Sequence, residues 1–326
     1  MILGAHIGIA EGLAAAPVTA REIGCGTLQI FSKSPQMWKG PPITPEAATA
    51  FRDAVITAGL RWPAVHHSYL PNLASPKPPT LTLSRTAFLD ELGRAESVGA
   101  AFLIIHPGAH LGSGVEAGIR TLAESLNDSV DHTRGYHVRT LVECMAGQGT
   151  TLASSFEEIA QILAQVDVRD RIGVALDTCH LFAAGYDFRT PVGYRTMMES
   201  LEATVGSKNV FAFHLNDAKG ELASHLDRHE NIGAGSIGRE GFRSFLIDPT
   251  WKEIPGYLET PLGEDGYGQY ARDLATLRSI ESGSPAPRAP RSSSPAARTA
   301  PKVAPSKKAA ASRPTKGTPR RARPNG

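Results

Sequence analysis

The sequence predicts an α/β fold in which eight parallel strands close into a barrel, and two observations carry that expectation. Over residues 1–281, short apolar strand-like runs alternate with longer helix-like stretches, the pattern of repeated parallel βα units. Six of those runs end in a histidine or a carboxylate: His66, His106, Glu143, Asp177, His214 and Glu259, spaced 34 to 45 residues apart. That interval is about the length of one strand–helix unit. A parallel barrel collects its strand C-termini on one rim, where such scaffolds keep their chemistry.

The strands expected in order are Ile2–His6, Thr27–Phe31, Trp62–His66, Phe102–His106, Thr140–Glu143, Gly173–Asp177, Val210–His214 and Gly256–Glu259. Eight strands in about 280 residues suit a (β/α)8, or TIM, barrel with modest insertions. Between them, Ser84 is expected to begin a helix that carries Phe88, Leu92, Ala95 and Val98 on one side. Ile119, Leu122, Leu126 and Val130 mark a second helix by the same spacing. A capping box, Ser155-Phe156-Glu157-Glu158, opens a third, with Phe156, Ile159, Leu163 and Val166 spaced to face a sheet.

Composition is that of a globular chain: 326 residues, 41% hydrophobic and 20% charged. No apolar stretch reaches the ~18 residues needed to span a bilayer, and no secretory signal is expected, because the first residues lack a basic segment followed by a long apolar one. Cys25, Cys144 and Cys179 have no paired spacing, which points to a reducing compartment and a cytoplasmic protein, with Cys25 as core filler. A monomer is expected. The formal net charge of +2 hides a split. Residues 282–326 hold 11 Lys and Arg and no Asp or Glu, so residues 1–281 are net acidic. This Pro/Ala/Ser/Lys/Arg segment lacks the large apolar residues that offset chain entropy, so a disordered tail is expected. Its charge suits non-specific contact with nucleic-acid phosphates; a solvated linker is the plainer alternative.

Two short motifs join the strand-end residues. Asp177-Thr178-Cys179-His180 places a second donor just past a strand end. Asp227-Arg228-His229 has the spacing that puts both donors on one side of an extended segment. The result is nine candidate metal ligands: His66, His106, Glu143, Asp177, His180, His214, Asp227, His229 and Glu259. A catalytic zinc takes about three protein ligands and keeps one position open, so nine donors with a shared carboxylate suit about three ions. Imidazole mixed with carboxylate favours zinc or manganese over calcium or magnesium. Burying four carboxylates together without cations would be prohibitively costly. Of the other histidines, His6 in the first strand could reach the pocket but is expected to pack, and His110, His132, His137 and His225 to face solvent. Strand alternation lets only one of His66 and His67 point inward, without choosing between them.

These motifs have a known counterpart. His66-His67-Ser68-Tyr69-Leu70-Pro71-Asn72-Leu73, Glu143 through Ala146-Gly147-Gln148-Gly149, Asp177-Thr178-Cys179-His180, His214-Leu215-Asn216-Asp217, Asp227 through Gly233 and Leu258-Glu259-Thr260-Pro261 resemble the endonuclease IV family. These are zinc-dependent apurinic/apyrimidinic endonucleases of base-excision repair. The resemblance runs from about Gly4 to Leu277 and makes His66 the ligand of its doublet. It implies three Zn2+ ions, with Mn2+ an alternative at one site. His66, His106 and Glu143 would hold the first, and Glu143 would bridge to a second held by Asp177, His214 and Glu259. His180, Asp227 and His229 would hold the third. Glu143 and Glu259 are thereby catalytic candidates. The implied reaction is hydrolysis 5′ to an abasic site in duplex DNA, leaving a 3′-hydroxyl and a 5′-deoxyribose phosphate.

The family also wedges side chains into the duplex. Tyr69 matches a tyrosine wedge, with a half-buried core tyrosine as the plainer alternative. Lys33-Ser34-Pro35-Gln36-Met37-Trp38 matches a DNA-probing loop, making Gln36 and Trp38 candidate DNA contacts. The sequence departs from the family at Gln36, where an arginine is frequent, and at Cys144-Met145, where polar Asn-Thr is usual. Two other readings stand beside this one. A sugar isomerase or epimerase on the same barrel would use about four donors and leave His66, His180, Asp227 and His229 without work. A catalytically silent DNA-binding protein would have lost a ligand, and none is lost.

Overall fold

The computed structural model describes residues 1–284; residues 285–326, which make up nearly all of the expected tail, lie outside the described residues. Eight strands form the barrel: β1 (Ile2–His6), β2 (Thr27–Phe31), β3 (Ala64–His66), β4 (Phe102–Ile105), β5 (Arg139–Glu143), β6 (Ile172–Asp177), β7 (Val210–His214) and β10 (Pro255–Leu258). They close in the order β1-β10-β7-β6-β5-β4-β3-β2, every pairing parallel. A small antiparallel pair, β8 (Asp217–Ala218) and β9 (His229–Glu230), lies outside the barrel in the connection that follows β7. The expected strands are all present: Ile2–His6, Thr27–Phe31 and Val210–His214 have the expected bounds, and the ends of the others shift by one or two residues.

Helices α1 (Ala15–Glu22), α2 (Pro45–Thr57), α3 (Pro78–Ser97), α4 (Val115–His132), α5 (Phe156–Ala164), α6 (Thr178–Ala184), α7 (Pro191–Thr204), α8 (Gly238–Ile247) and α9 (Gly268–Glu281) complete the described chain. The stripe Phe88, Leu92, Ala95 and Val98 is buried as its spacing predicts, and so is Ile119, Leu122, Leu126 and Val130. The start of α3 is a correction. Pro78 and Pro79 open it, because a ring that fixes φ and lacks an N–H suits the first helical turn. Ser84 sits one and a half turns inside, donating to Thr80 O at 2.7 Å and accepting from Asn72 N–H at 2.9 Å. At α5 the cap is Ser155, which accepts from Glu158 N–H at 3.2 Å. The return bond differs from a strict capping box: the Glu158 carboxylate accepts from Ser154 N–H rather than from that of Ser155.

Two apolar layers make up the interior. The larger lies between strands and helices and holds Phe88, Leu122, Phe156, Phe245 and Leu274 among others. The smaller is the barrel lumen: Ala64, Phe102, Ile104, Leu141, Ala175, Ala212 and Tyr257. Strand side chains alternate between faces. The residue two beyond Ala64, Ile104, Leu141, Ala175, Ala212 or Tyr257 must therefore also face the lumen, one layer nearer the rim. Those residues are His66, His106, Glu143, Asp177, His214 and Glu259. Register sets Asp177 directly opposite His214, while His66 stands opposite Ile104, Glu143 opposite Ala175 and His214 opposite Tyr257, so the donors climb by two residues at those steps. At β1, a Cβ on Gly4 would stand 2.2 Å from Thr27 O, so only glycine lets β1 and β2 approach there.

One further carboxylate shapes the rim without belonging to it. Asp217 is buried and accepts from the backbone N–H groups of Ala218 (2.8 Å), Gly233 (2.9 Å), Gly235 (3.1 Å) and Ile237 (3.0 Å). It thereby closes the connection that carries Asp227 and His229. Asp217→Ala is expected to lower unfolding free energy by about 3 kcal/mol, since several buried donors lose their acceptor. The 219–236 segment should then be the first cut in limited proteolysis, with the far-UV circular dichroism of the barrel kept. Unchanged stability together with a resistant segment would show that the connection holds itself.

Candidate metal centre

Because the lumen positions converge at the rim, Glu143 becomes the hub of the site. Its Oε2 lies 3.4 Å from His66 Nε2 and 3.4 Å from His106 Nε2, while Oε1 lies 2.8 Å from His214 Nδ1 and 3.4 Å from His180 Nδ1. Asp177 serves two ends. Its Oδ1 caps α6, accepting from Cys179 N–H at 2.6 Å and His180 N–H at 3.1 Å. This cap turns the chain so that His180 re-enters the pocket one turn later. Its Oδ2 remains on the pocket side, 3.9 Å from His214 Nδ1 and 3.6 Å from His229 Nε2. Asp227 Oδ1 stands 3.2 Å from His180 Nε2 and 3.4 Å from His229 Nε2, so the Asp-x-His spacing does put both donors on one side.

The imidazoles are arranged alike. His66 Nδ1 donates to His67 O at 2.7 Å, and His180 Nδ1 to Cys144 O at 2.9 Å. His229 Nδ1 donates to Glu259 O at 3.2 Å, and His214 Nε2 to Gln29 Oε1 at 2.9 Å. Each ring thus ties one nitrogen outward and turns the other towards carboxylate oxygens, the disposition that orients a histidine for a metal. The inward Nε2 atoms of His180 and His229 are buried without a hydrogen-bond partner. Buried polar atoms are ordinarily satisfied, and a cation among these donors would satisfy both.

Electrostatics agree with the geometry. Burial opposes charge on His214, yet the Glu259 and Glu143 carboxylates outweigh it and lift its pKa to about 9. Burial likewise opposes charge on His180, and Asp177 and Asp227 raise it well above the ordinary imidazole value. Burial would raise Glu143 and Glu259, but the facing imidazoles, His214 foremost, hold both well below the usual carboxylate range. The pocket is built for positive charge among its oxygens.

Donor atoms of His66, His106 and Glu143 lie within 4.8 Å of one another, as do those of His180, Asp227 and His229. The remaining donors are shared: His214 and Glu259 group with His66, and Asp177 groups with Glu143 and His180. All nine sequence candidates therefore meet at one rim, and the mixture of imidazole and carboxylate fits divalent metal of the zinc or manganese type. Cys179 also comes near Asp177 and His229, but its Sγ is directed to Arg228 O at 3.7 Å, and burial, reinforced by Asp177, pushes its thiol up to about 12. His67 resolves the doublet from the other side, with its ring 5.7 Å from that of Phe88 on α3.

His6 corrects an expectation. It does not simply pack: as the last residue of β1 it reaches the same rim, its Nδ1 3.3 Å from Glu259 Oε1. The sequence alone assigns no role to Gln29 or Asn216. Asn216 donates to Asp177 Oδ2 at 2.8 Å and accepts from Glu259 N–H at 2.8 Å. A polar residue in the middle of an apolar strand was the available signal for Gln29, and a polar residue two past a strand end was that for Asn216.

Tyr69 stands at the mouth, 61% exposed, its ring 5.8 Å from that of His106; it is not a core tyrosine. Gln36 is exposed and Trp38 half-buried on the connection after β2. That connection is anchored from below. Buried Lys33 pairs with buried Glu91 of α3, and Arg94 donates to Ser32 Oγ at 2.6 Å, Ser32 O at 2.6 Å and Pro41 O at 2.8 Å.

Comparison with known proteins bears on this rim. Residues 18–280 match the model of the xylose isomerase-like TIM barrel family. A Chloroflexus aurantiacus protein named "Probable endonuclease 4" is 41% identical over 280 residues, spanning 86% of this chain and 98% of the relative. The crystal structure of endonuclease IV from Thermus thermophilus superposes with a TM-score of 0.76 at 31% identity, covering 87% of this chain and all of that one. A D-tagatose 3-epimerase-like protein superposes at 0.65 with 18% identity, a likeness of fold alone. Similarity along nearly the full length of these relatives places the chain in the endonuclease IV family of metal-dependent nucleases.

Proposed function

We propose that this chain hydrolyses the phosphodiester on the 5′ side of an abasic site in duplex DNA, leaving a 3′-hydroxyl and a 5′-deoxyribose phosphate. The carrying observation is that nine imidazole and carboxylate donors meet at one barrel rim, with the outward nitrogens of His66, His180, His214 and His229 tied off and two inward ones unpartnered. Sequence similarity to proteins named endonuclease 4 supports the same reading. A sugar isomerase needs about four of these donors and leaves His66, His180, Asp227 and His229 unexplained.

Three zinc ions, with manganese compatible at one position, would be held by His66, His106 and Glu143; by Glu143, Asp177, His214 and Glu259; and by His180, Asp227 and His229. Bound there, such ions supply Lewis acidity and lower the pKa of water, so no protein nucleophile is required. Glu143 sits between two donor sets and fixes their separation. Tyr69, at the mouth, presents an aromatic face to a duplex already weakened by loss of a base, which makes extrusion of the lesion inexpensive. Gln36 and Trp38 lie on the anchored connection after β2 and would probe the DNA groove. The basic segment beyond residue 284 would add phosphate contacts, compensating for the uncharged side chain at Gln36.

Glu259→Gln keeps the shape and removes one charge. It is expected to cut nicking of an abasic duplex by more than about a hundredfold, read on a gel with a 3′-end that a polymerase can extend. Nicking at the wild-type rate would remove Glu259 from the reaction. Elemental analysis should find close to three metals per chain, and a chelator should abolish nicking until zinc or manganese is returned. Metal retained without nicking would redirect attention to aldose–ketose interconversion. A chain ending at residue 284 should bind duplex DNA more weakly at low salt and with a shallower dependence of log K on log salt; an unchanged slope would leave the tail a linker.

A further inference from the structure

Gln29 is an uncharged side chain at the rim that touches two of the donors at once. It is fully buried at the centre of β2. Its Oε1 lies 2.9 Å from His214 Nε2, and its Nε2 lies 2.6 Å from Glu259 Oε1 and 2.9 Å from His6 Nδ1. Only one orientation of the amide is consistent with these contacts. Turned over, it would set its oxygen against the Glu259 carboxylate, two acceptors with no proton between them. The NH2 group therefore donates to Glu259, and Oε1 accepts from His214.

From this geometry we infer that Gln29 is a positioning residue that selects which atom of each of two metal donors faces the pocket. With Nε2–H of His214 committed to Gln29, its Nδ1 is the nitrogen presented to Glu143 Oε1 at 2.8 Å and Glu259 Oε2 at 3.6 Å. With Oε1 of Glu259 committed to Gln29, Oε2 is left on the pocket side, so Glu259 offers one oxygen rather than two. His6 Nδ1 lies 2.9 Å from the same amide nitrogen and 3.3 Å from Glu259 Oε1, closing the pair from β1. The inference rests on the metal-holding reading above and assigns a cause to the orientation of His214 and Glu259 that the other donors do not provide.

The test is Gln29→Met, close in volume and without the amide. Zinc affinity is measured by competition with a chromophoric chelator, with elemental analysis of the protein as purified and the unfolding midpoint taken in chelator. The expected result is one ion per chain bound roughly 10- to 100-fold more weakly, the others held as in wild type, and kcat on the abasic duplex lowered with KM little changed. Wild-type affinity for every ion in Gln29→Met overturns the assignment. A wild-type chain that binds no zinc overturns instead the metal reading beneath it, so the two failures are distinct. Should Gln29→Met not fold, the ring 15N shifts of His214 in zinc-loaded wild type decide: a proton on Nε2 supports the role, and a proton on Nδ1 overturns it.

Discussion

Four carboxylates and five imidazoles occupy one end of a closed barrel, and much of the surrounding architecture manages that charge. Glu143, Asp177, His180 and His214 are almost wholly removed from water, where an uncompensated carboxylate is strongly destabilising. The imidazoles offset part of that penalty by holding protons that an isolated histidine would release at neutral pH. A divalent cation offsets it better, since it replaces those protons with a charge that several oxygens share. Metal affinity and the stability of the rim are thus two expressions of one electrostatic constraint.

Rigidity comes from the β ladder. Every barrel strand has a parallel neighbour on both sides, so the height of each donor above the lumen is set by hydrogen-bonded register rather than by a mobile loop. The donors that strands cannot supply are brought in by local devices. Asp177 is at once a strand end and the N-cap of α6, and that single residue aims His180. Asp217 gathers four or more backbone amides and closes the excursion that bears Asp227 and His229. Beneath the donors, Gln29 and Asn216 supply the neutral hydrogen bonds that charged neighbours could not supply without adding to the repulsion.

The mouth is organised differently from the floor. Tyr69 is exposed beside His106, and the connection bearing Gln36 and Trp38 is exposed at Gln36 but pinned at its base by the buried Lys33, Glu91 and Arg94 group. Burial, with Arg94 adding to it, brings Lys33 down to about 8, the mark of a cation placed for structure rather than for contact with solvent. An anchored base with an exposed tip suits a surface that must meet a large partner without losing its place on the rim.

Periodicity alone determined the barrel and most of its donors. A polar residue closing an apolar run once per βα unit has one simple structural meaning, because parallel strands all end on the same side. That rule reached His66, His106, Glu143, Asp177, His214 and Glu259 without coordinates, and short-range spacing reached His180, Asp227 and His229. The family's motif, rather than periodicity, separated His66 from His67. Tertiary structure alone decided what depends on contacts between distant strands. His6 and Gln29 enter the site because closure of the barrel pairs β1 with β10 on one side and with β2 on the other, a neighbourhood 230 residues apart along the chain for Gln29 and Glu259. The start of α3 is not legible in the sequence, because a buried serine inside a helix and a serine cap read alike in one dimension. Local patterns fix which face a side chain takes; only closure of the barrel fixes which side chains share it.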